Sequence, residues 1–363
     1  MAGDLADARD VSWMEGVWSE QDCTPSKIEA ALRDLLLSRH AEDESYAPAR
    51  VLNLIVIADR EWRGEIQNRL ENVGRYHASR TILCAVEKGR TTIDAWATMT
   101  VHGDPRPGEI ALCHEEVVVD VGPDHLPNLD TIVDPLVVPD LATVVWSPHG
   151  HEDAVNAVLH LAQVVLIDSV NEPDPAAAVE RARELAQEVY VVDLAWLRST
   201  PWRERVAATF DPARWRQELA RISSVTVRHR PDSGITGLLF FGWLASRLGW
   251  EPGALVSQNG ALYGRATSRR QDVQLRLEPD PGQSAPGLAG ITLETASGMT
   301  VSLDRGPGGL AARRRTRDGR ESSWTVVGAS RGEAGILGEG IRQALLRDPT
   351  YRPALEAAKS MLG

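Results

Sequence analysis

Lysine is nearly missing from this chain of 363 residues: Lys27, Lys88 and Lys359 are the only three, and arginine supplies every other fixed cation. Schiff-base chemistry and a Walker-type phosphate loop ending in Gly-Lys therefore have few or no candidates. Arginine forks suit fixed ion pairs and interfaces instead. Cysteine is almost as scarce. Cys23, Cys84 and Cys113 make an odd number and no CxxC occurs, which speaks against a disulfide framework and a structural zinc site. The reducing cytoplasm is the expected home. No apolar run approaches the ~18 residues of a membrane span. The first ten residues are acidic and lack an apolar core, so no secretory signal is expected. Cations are in deficit overall. Lys plus Arg number 39 against 51 Asp plus Glu, a formal charge of −12. That balance argues against a general nucleic-acid binder and a polybasic membrane anchor, while leaving room for a local basic patch. What is present is ordinary for a globular chain with a real core: 43% hydrophobic and 25% charged residues.

The length predicts about two domains. Residues 1–24 read as loosely ordered, and Thr24-Pro25-Ser26 opens a helix to about residue 40, with Thr24 at the cap and Pro25 in the first turn. The 51–58 run is nearly all apolar, as in a strand covered on both faces. Asp59 is placed to cap the next helix, which carries Trp62, Ile66 and Leu70 on one face and stops near Gly74. A strand at 80–86 and two extended stretches at 91–101 and 109–121, joined by a Gly/Pro turn, complete a hairpin inside a mixed sheet. Strand, helix and strand follow at 143–146, 152–161 and 164–168. Residues 171–175 are the most hinge-like segment. Beyond them lie a helix at 176–188, helical stretches with Trp196, Trp202 and Trp215, a strand at 225–230, a strongly apolar helix at 234–249, and four to six short strands between 260 and 328. Two helices close the chain. The expected class is α/β. An arm and helix at 1–45 precede a mixed-sheet N-terminal domain with flanking helices at 46–172. An α+β domain with an antiparallel meander follows at 173–363.

Chemistry-bearing motifs are few. Val326-Val327-Gly328-Ala329-Ser330-Arg331-Gly332 mimics a dinucleotide turn, but no second strand and no ribose-binding acid follow, so no cofactor site is expected. His149, His151, Glu152 and Asp153 lack helical metal spacing, and no metal is expected. His114 and Glu115 point to opposite faces of a strand and read as ladder residues. No nucleophile elbow occurs. Cys84 and Cys113 sit in apolar strands as small core residues, and Cys23 is the cysteine expected to be exposed. No catalytic residue is assigned. The most unusual segment is Gly74-Arg75-Tyr76-His77-Ala78-Ser79-Arg80. Arg75, His77, Ser79 and Arg80 concentrate cationic and hydrogen-bonding groups between a helix and a strand, suited to a phosphate or a partner's carboxylates. Equally, Gly74 can cap the helix while Arg75 neutralises its dipole. Eleven tryptophans against five tyrosines and three phenylalanines are the other oddity. Trp62-Arg63, Trp202-Arg203 and Trp215-Arg216 pair the two residue types typical of interface hot spots, although Trp215 reads better as a core-edge residue.

The 50–57 run, the helix with Trp62-Arg63 and the segment from Gly74 to Leu83 resemble the OpcA family of glucose-6-phosphate dehydrogenase assembly proteins. Val144-Val145-Trp146-Ser147-Pro148, Ile167-Asp168-Ser169 and Pro201-Trp202-Arg203 extend the resemblance over roughly residues 25–305. The family's usual loop reads His-Pro-Ser-Arg, and Ala78 stands here in the proline position. The resemblance implies a non-catalytic cytoplasmic partner of glucose-6-phosphate dehydrogenase that promotes its active oligomer, without cofactor, nucleic acid or membrane. The alternative is a sugar-phosphate or nucleotide sensor, or an enzyme, using the 75–80 loop.

Overall fold

A strand covered on both faces must be apolar along its length. In the computed structural model every residue of Leu52–Asp59 except the last is buried. The structure describes residues 15–42, 46–47, 50–74, 79–102, 111–306, 308–327 and 333–363. The fold is mixed α/β, with two many-stranded mixed sheets and helices. The chain divides into two compact units, residues 1–165 and 166–363.

The first unit contains β1 (Glu15–Glu20), α1 (Pro25–Glu42), β2 (Tyr46–Ala47), β3 (Leu52–Asp59), α2 (Arg63–Gly74), β4 (Ser79–Val86), β5 (Asp94–His102), β6 (Ala111–Val121), α3 (Asp130–Val133), β7 (Ala142–Trp146) and α4 (Glu152–Val158), and its last residues begin β8 (Val164–Ile167). The strand order is β1-β5-β6-β4-β3-β7-β8. β3 runs parallel to β4 and β7, and β4 parallel to β6, whereas β5 is antiparallel to both β6 and β1. β5 and β6 are the predicted hairpin, whose turn lies outside the described residues. Ile55, Ile57, Leu83 and Val117 are fully buried, each contributing about 1.5–3 kcal/mol of burial free energy.

Three expectations are corrected here. Residues 15–20 are not loose: they pair with β5 from Glu15↔Thr100 to Glu20↔Ala95. The edge of β5 offers unpaired backbone groups, and a partner supplied by a distant strand leaves no local signature. Cys23 is buried, not exposed, with its N–H donating to Ile93 O at 2.8 Å, and burial pushes its thiol up. Asp59 caps nothing with its side chain, and Trp62 stays 48% exposed while Ile66 and Leu70 bury. A short 3-10 turn at Arg60–Trp62 precedes α2 and turns Trp62 off its buried face.

The second unit contains α5 (Pro175–Glu188), β9 (Tyr190–Asp193), α6 (Leu194–Arg198), α7 (Thr200–Phe210), α8 (Ala213–Arg216), β10 (Ile222–His229), α9 (Gly234–Leu248), β11 (Glu251–Pro252), β12 (Val256–Gln258), β13 (Ala261–Thr267), β14 (Asp272–Pro279), β15 (Leu288–Thr295), β16 (Thr300–Gly306), β17 (Gly309–Arg315), β18 (Glu321–Val327), α10 (Glu333–Leu346) and α11 (Tyr351–Leu362). Asp174 caps α5 by accepting from Ala176 N–H at 3.0 Å, and Pro175 fills the first turn. The second sheet runs β11-β13-β14-β10-β15-β16-β17-β18, with β12 on β13. It is not purely antiparallel: β10 lies parallel to β14 and antiparallel to β15. Only β15 to β18 form a simple meander. The cause is α9, which follows β10 and packs on the sheet, so that β13 and β14 return on one side and β15 on the other. Residues 280–287 cross the end of β10, tied by Asp280 N–H to His229 O at 2.7 Å and Arg230 N–H to Gly287 O at 3.0 Å. α9 also packs tightly on α11: a Cβ at Gly242 would lie 2.0 Å from Ala354 O.

Candidate functional site

Of the four residues singled out between 75 and 80, the structure describes two; Arg75 and His77 lie outside the described residues. Ser79 opens β4, 3% exposed, with its Oγ 3.3 Å from Thr81 Oγ1. Arg80 stands opposite Glu115 in the β4–β6 register. Its Nε donates to Glu115 Oε2 at 2.8 Å and its Nη1 to Leu136 O at 3.0 Å. Arg50 grips the same carboxylate, Nε to Oε2 at 2.8 Å and Nη2 to Oε1. Burial pushes the Glu115 carboxyl up, but the two guanidiniums more than offset it, and the net direction is below the ordinary value. Arg80 is thus brought to Arg50 and Glu115 as a largely buried staple that ties β4 and β6 to the segment just before β3.

The carboxyl ends of the parallel strands are furnished differently. β3 has β4 and β6 on one side and β7 and β8 on the other. The order reverses beside β3, and in doubly wound sheets the crevice at such a point receives ligands. Here it receives side chains of the chain itself. Asp59, at the end of β3, donates its N–H to His149 Nδ1 at 3.0 Å. That bond requires Nδ1 to be unprotonated, in keeping with burial, which lowers the His149 pKa. His151 Nε2 lies 3.0 Å from Asp59 Oδ1. The β7 loop bends to allow this, with Gly150 and His151 at φ of 85° and 50°, and Ser147 Oγ donating to Gly150 O at 2.5 Å. Left-handed backbone favours glycine, so His151 is held there by its surroundings. The Trp62 and His149 rings are 6.1 Å apart at the exposed rim. Beside them Arg60 Nε donates to the buried Asp120 at 2.8 Å and its Nη1 to Glu87 at 3.1 Å. Arg90 joins Glu87 and Asp94, each at 2.7 Å, and Arg63 stacks 4.8 Å from the Trp96 centroid.

A dinucleotide site needs glycines in this first turn so that backbone can approach a pyrophosphate. The turn reads Asp59-Arg60-Glu61-Trp62-Arg63-Gly64, with side chains everywhere but its end. Among the described residues, no group of three His, Cys, Asp or Glu is placed to hold a metal. The crevice is suited to recognition by an exposed Trp flanked by arginines, and sequence reasoning missed it because Asp59, His149 and His151 meet only through the β3–β7 pairing.

The remaining marked residues separate clearly. Trp202 and Arg203 are buried, and the Arg203 guanidinium lies 3.5 Å from the Trp196 centroid. Burial lowers its pKa to about 10. Trp215 is half-buried beneath Arg314, 4.4 Å from its ring centroid. β18 ends at Val327 in an antiparallel pair with β17, and residues 328–332 of the dinucleotide-like motif lie outside the described residues. Cys84 is fully buried, its thiol pushed up to about 12; the side chain of Cys113 lies outside the described set. Among the described residues, no helix is long and apolar enough to cross a membrane.

Two domain models match the chain: the glucose-6-phosphate dehydrogenase subunit N-terminal domain over residues 70–184 and the C-terminal domain of the same subunit over residues 189–355. A protein of Synechococcus elongatus called putative OxPP cycle protein OpcA is 27% identical over 261 residues, 69% of this chain and 55% of that one. Its namesake in Synechocystis is 27% identical over 154 residues, 41% of this chain and 32% of that one. The chain therefore spans about half of the first relative and about a third of the second. Among solved structures, the WlbA dehydrogenase of Thermus thermophilus covers 86% of this chain and 94% of its own at 13% identity and a TM-score of 0.45, a likeness that carries no functional weight.

Proposed function

Because the chain belongs to the OpcA family, we propose that it binds glucose-6-phosphate dehydrogenase and favours its active oligomer, supporting NADPH supply by the oxidative pentose phosphate pathway. The observation that carries this reading is the match to both domain models of that subunit, one after the other along the chain. The crevice beside β3 supports an accessory role over catalysis, since Asp59, Arg60, Glu61, Trp62 and Arg63 fill the turn where a dinucleotide-binding dehydrogenase would need glycine. We place the protein in the cytoplasm. For the contact itself we keep Arg75 and His77, which precede Ser79 and Arg80 at the head of β4. To shift an oligomer equilibrium the protein must bind the active form more tightly than the inactive one.

The test is the mass and kinetics of the dehydrogenase with and without this chain. A complex with raised activity at limiting dehydrogenase concentration is the expected result. Unchanged mass and kinetics overturn the reading. Reduction of NADP by the purified chain with glucose 6-phosphate alone overturns its accessory character. R75Q with H77A weakens activation while the melting temperature stays within about 2 °C.

A further inference from the structure

We propose that the second unit holds a binding site for a small hydroxylated anion, a sugar phosphate or sugar acid by chemical class, in the cleft beside the crossover from β14 to β15. The cleft encloses about 510 Å³ and is lined by Arg228, Asp280, Gln283, Asp304 and Arg305 among others. That volume is within the ~300–1,000 Å³ of small-ligand sites. Its polar walls select a hydroxylated ligand over an apolar one.

The cleft has an acceptor half and a donor half. Arg228 on β10 reaches across β15 to Asp304 on β16. Gly290 permits this, since a Cβ there would lie 2.1 Å from the guanidinium. Asp280, at the start of the crossover, has Oδ2 4.0 Å from Arg228, while its Oδ1 accepts from Gly282 N–H at 3.0 Å. Arg228 is thus fixed between two half-exposed carboxylates that keep acceptor capacity for hydroxyl groups. The donor half is Arg305 and Gln283. Both bonds of the Arg305 guanidinium go to one neutral acceptor, Leu288 O, at 3.2 Å from Nε and 3.1 Å from Nη2. Among the described residues no carboxylate lies within ion-pair distance of it, and the Trp202 ring centroid lies 5.9 Å away. The Gln283 side-chain nitrogen is buried with no acceptor. A half-buried cation and a buried amide lacking anionic or acceptor partners are costly to maintain. A phosphate or carboxylate would pair with Arg305 by charge-assisted hydrogen bonds and offer the Gln283 amide an acceptor once that side chain turns toward the cleft, while Asp280 and Asp304 take the hydroxyls.

This site does not depend on the dehydrogenase, so it is tested on the full chain alone. Calorimetric titration would use glucose 6-phosphate, 6-phosphogluconate, glucose, inorganic phosphate and glutamate. The expected result is saturable binding of one of the first two, at least tenfold tighter than glucose, phosphate or glutamate. R305Q should weaken that binding tenfold or more. D304N should weaken it while leaving inorganic phosphate as tight as before, which separates the two halves of the cleft. Melting curves of both variants establish that they are folded. Absence of heat with both sugar anions at millimolar concentration overturns the proposal. So does binding that neither substitution alters, phosphate binding as tight as that of the sugar phosphate, or preferential binding of the zwitterion.

Discussion

Glu115 in the first unit and Asp193 in the second are both fully buried carboxylates, yet their surroundings drive them in opposite directions. Glu115 sits between two guanidiniums and is held below its ordinary pKa. Among the described residues no cation pairs with Asp193. It accepts from the Ser169 and Tyr351 hydroxyls at Oδ2 and from the Ser169 and Ala195 amides at Oδ1. Burial, the largest cause, raises it to about 6. Desolvation is common to both, so the presence of arginine decides the charge state. The lesson carries to the arginines themselves. Arg80 is neutralised and structural, whereas Arg305 is left facing a carbonyl.

The largest effect should come from breaking the staple. Glu115→Gln leaves Arg50 and Arg80 without their anion, and removing one member of a buried ion pair typically costs about 3–5 kcal/mol. Urea unfolding measures it, and a loss below about 1 kcal/mol would dissolve the contrast with Asp193. The next effect is in pH. Asp193 binds its proton more tightly folded than unfolded, so the stability it contributes is present below its ordinary value of 3.8 and lost as pH rises through about 6. Glu115 works oppositely, contributing above its ordinary 4.5 and losing that as pH falls. Asp193→Asn keeps the shape, because an amide nitrogen can donate to the two hydroxyls. Wild type should therefore lose about 2–3 kcal/mol relative to D193N between pH 4 and 7, and parallel stability curves would refute the assignment. A smaller, pH-independent loss of about 1–3 kcal/mol is expected for Gly242→Ala, whose methyl meets the α11 backbone. It serves as the packing control within the same unit. The smallest change belongs to Arg305→Gln: under about 1 kcal/mol in either direction, since no ion pair is lost. Arg80→Gln should cost more, and equal melting temperatures for the two variants would erase the distinction between them.

The sequence made the inner strands and most helices legible because burial on both faces leaves uninterrupted apolar runs, as in β3 and α9. Partnerships between distant segments were not legible. β1 exists because β5 has a free edge, and β10 is parallel to β14 because α9 redirects the chain. The same blindness affected side chains. Arg80 stood out as a cation in a loop, but Glu115, its partner, looked like an ordinary strand residue. Asp59 resembled a helix cap until β7 brought two histidines to it. Arg305 carried no local signal, because its distinction is the absence of a carboxylate in three dimensions.

The placement of β10 also dictates an order of events in folding. Val225 pairs with Leu275 on one side and Leu293 on the other, so neither central seam of this sheet can close until a strand much further along the chain has arrived. During synthesis β10 emerges with both edges open and must wait for two later strands. Rates fall as such non-local pairings accumulate, and open edges invite mispairing with other chains. A chain released before residue 288 would retain β14 but expose the other edge of β10, and would be expected to aggregate, whereas loss of the β17–β18 hairpin would leave that central seam intact.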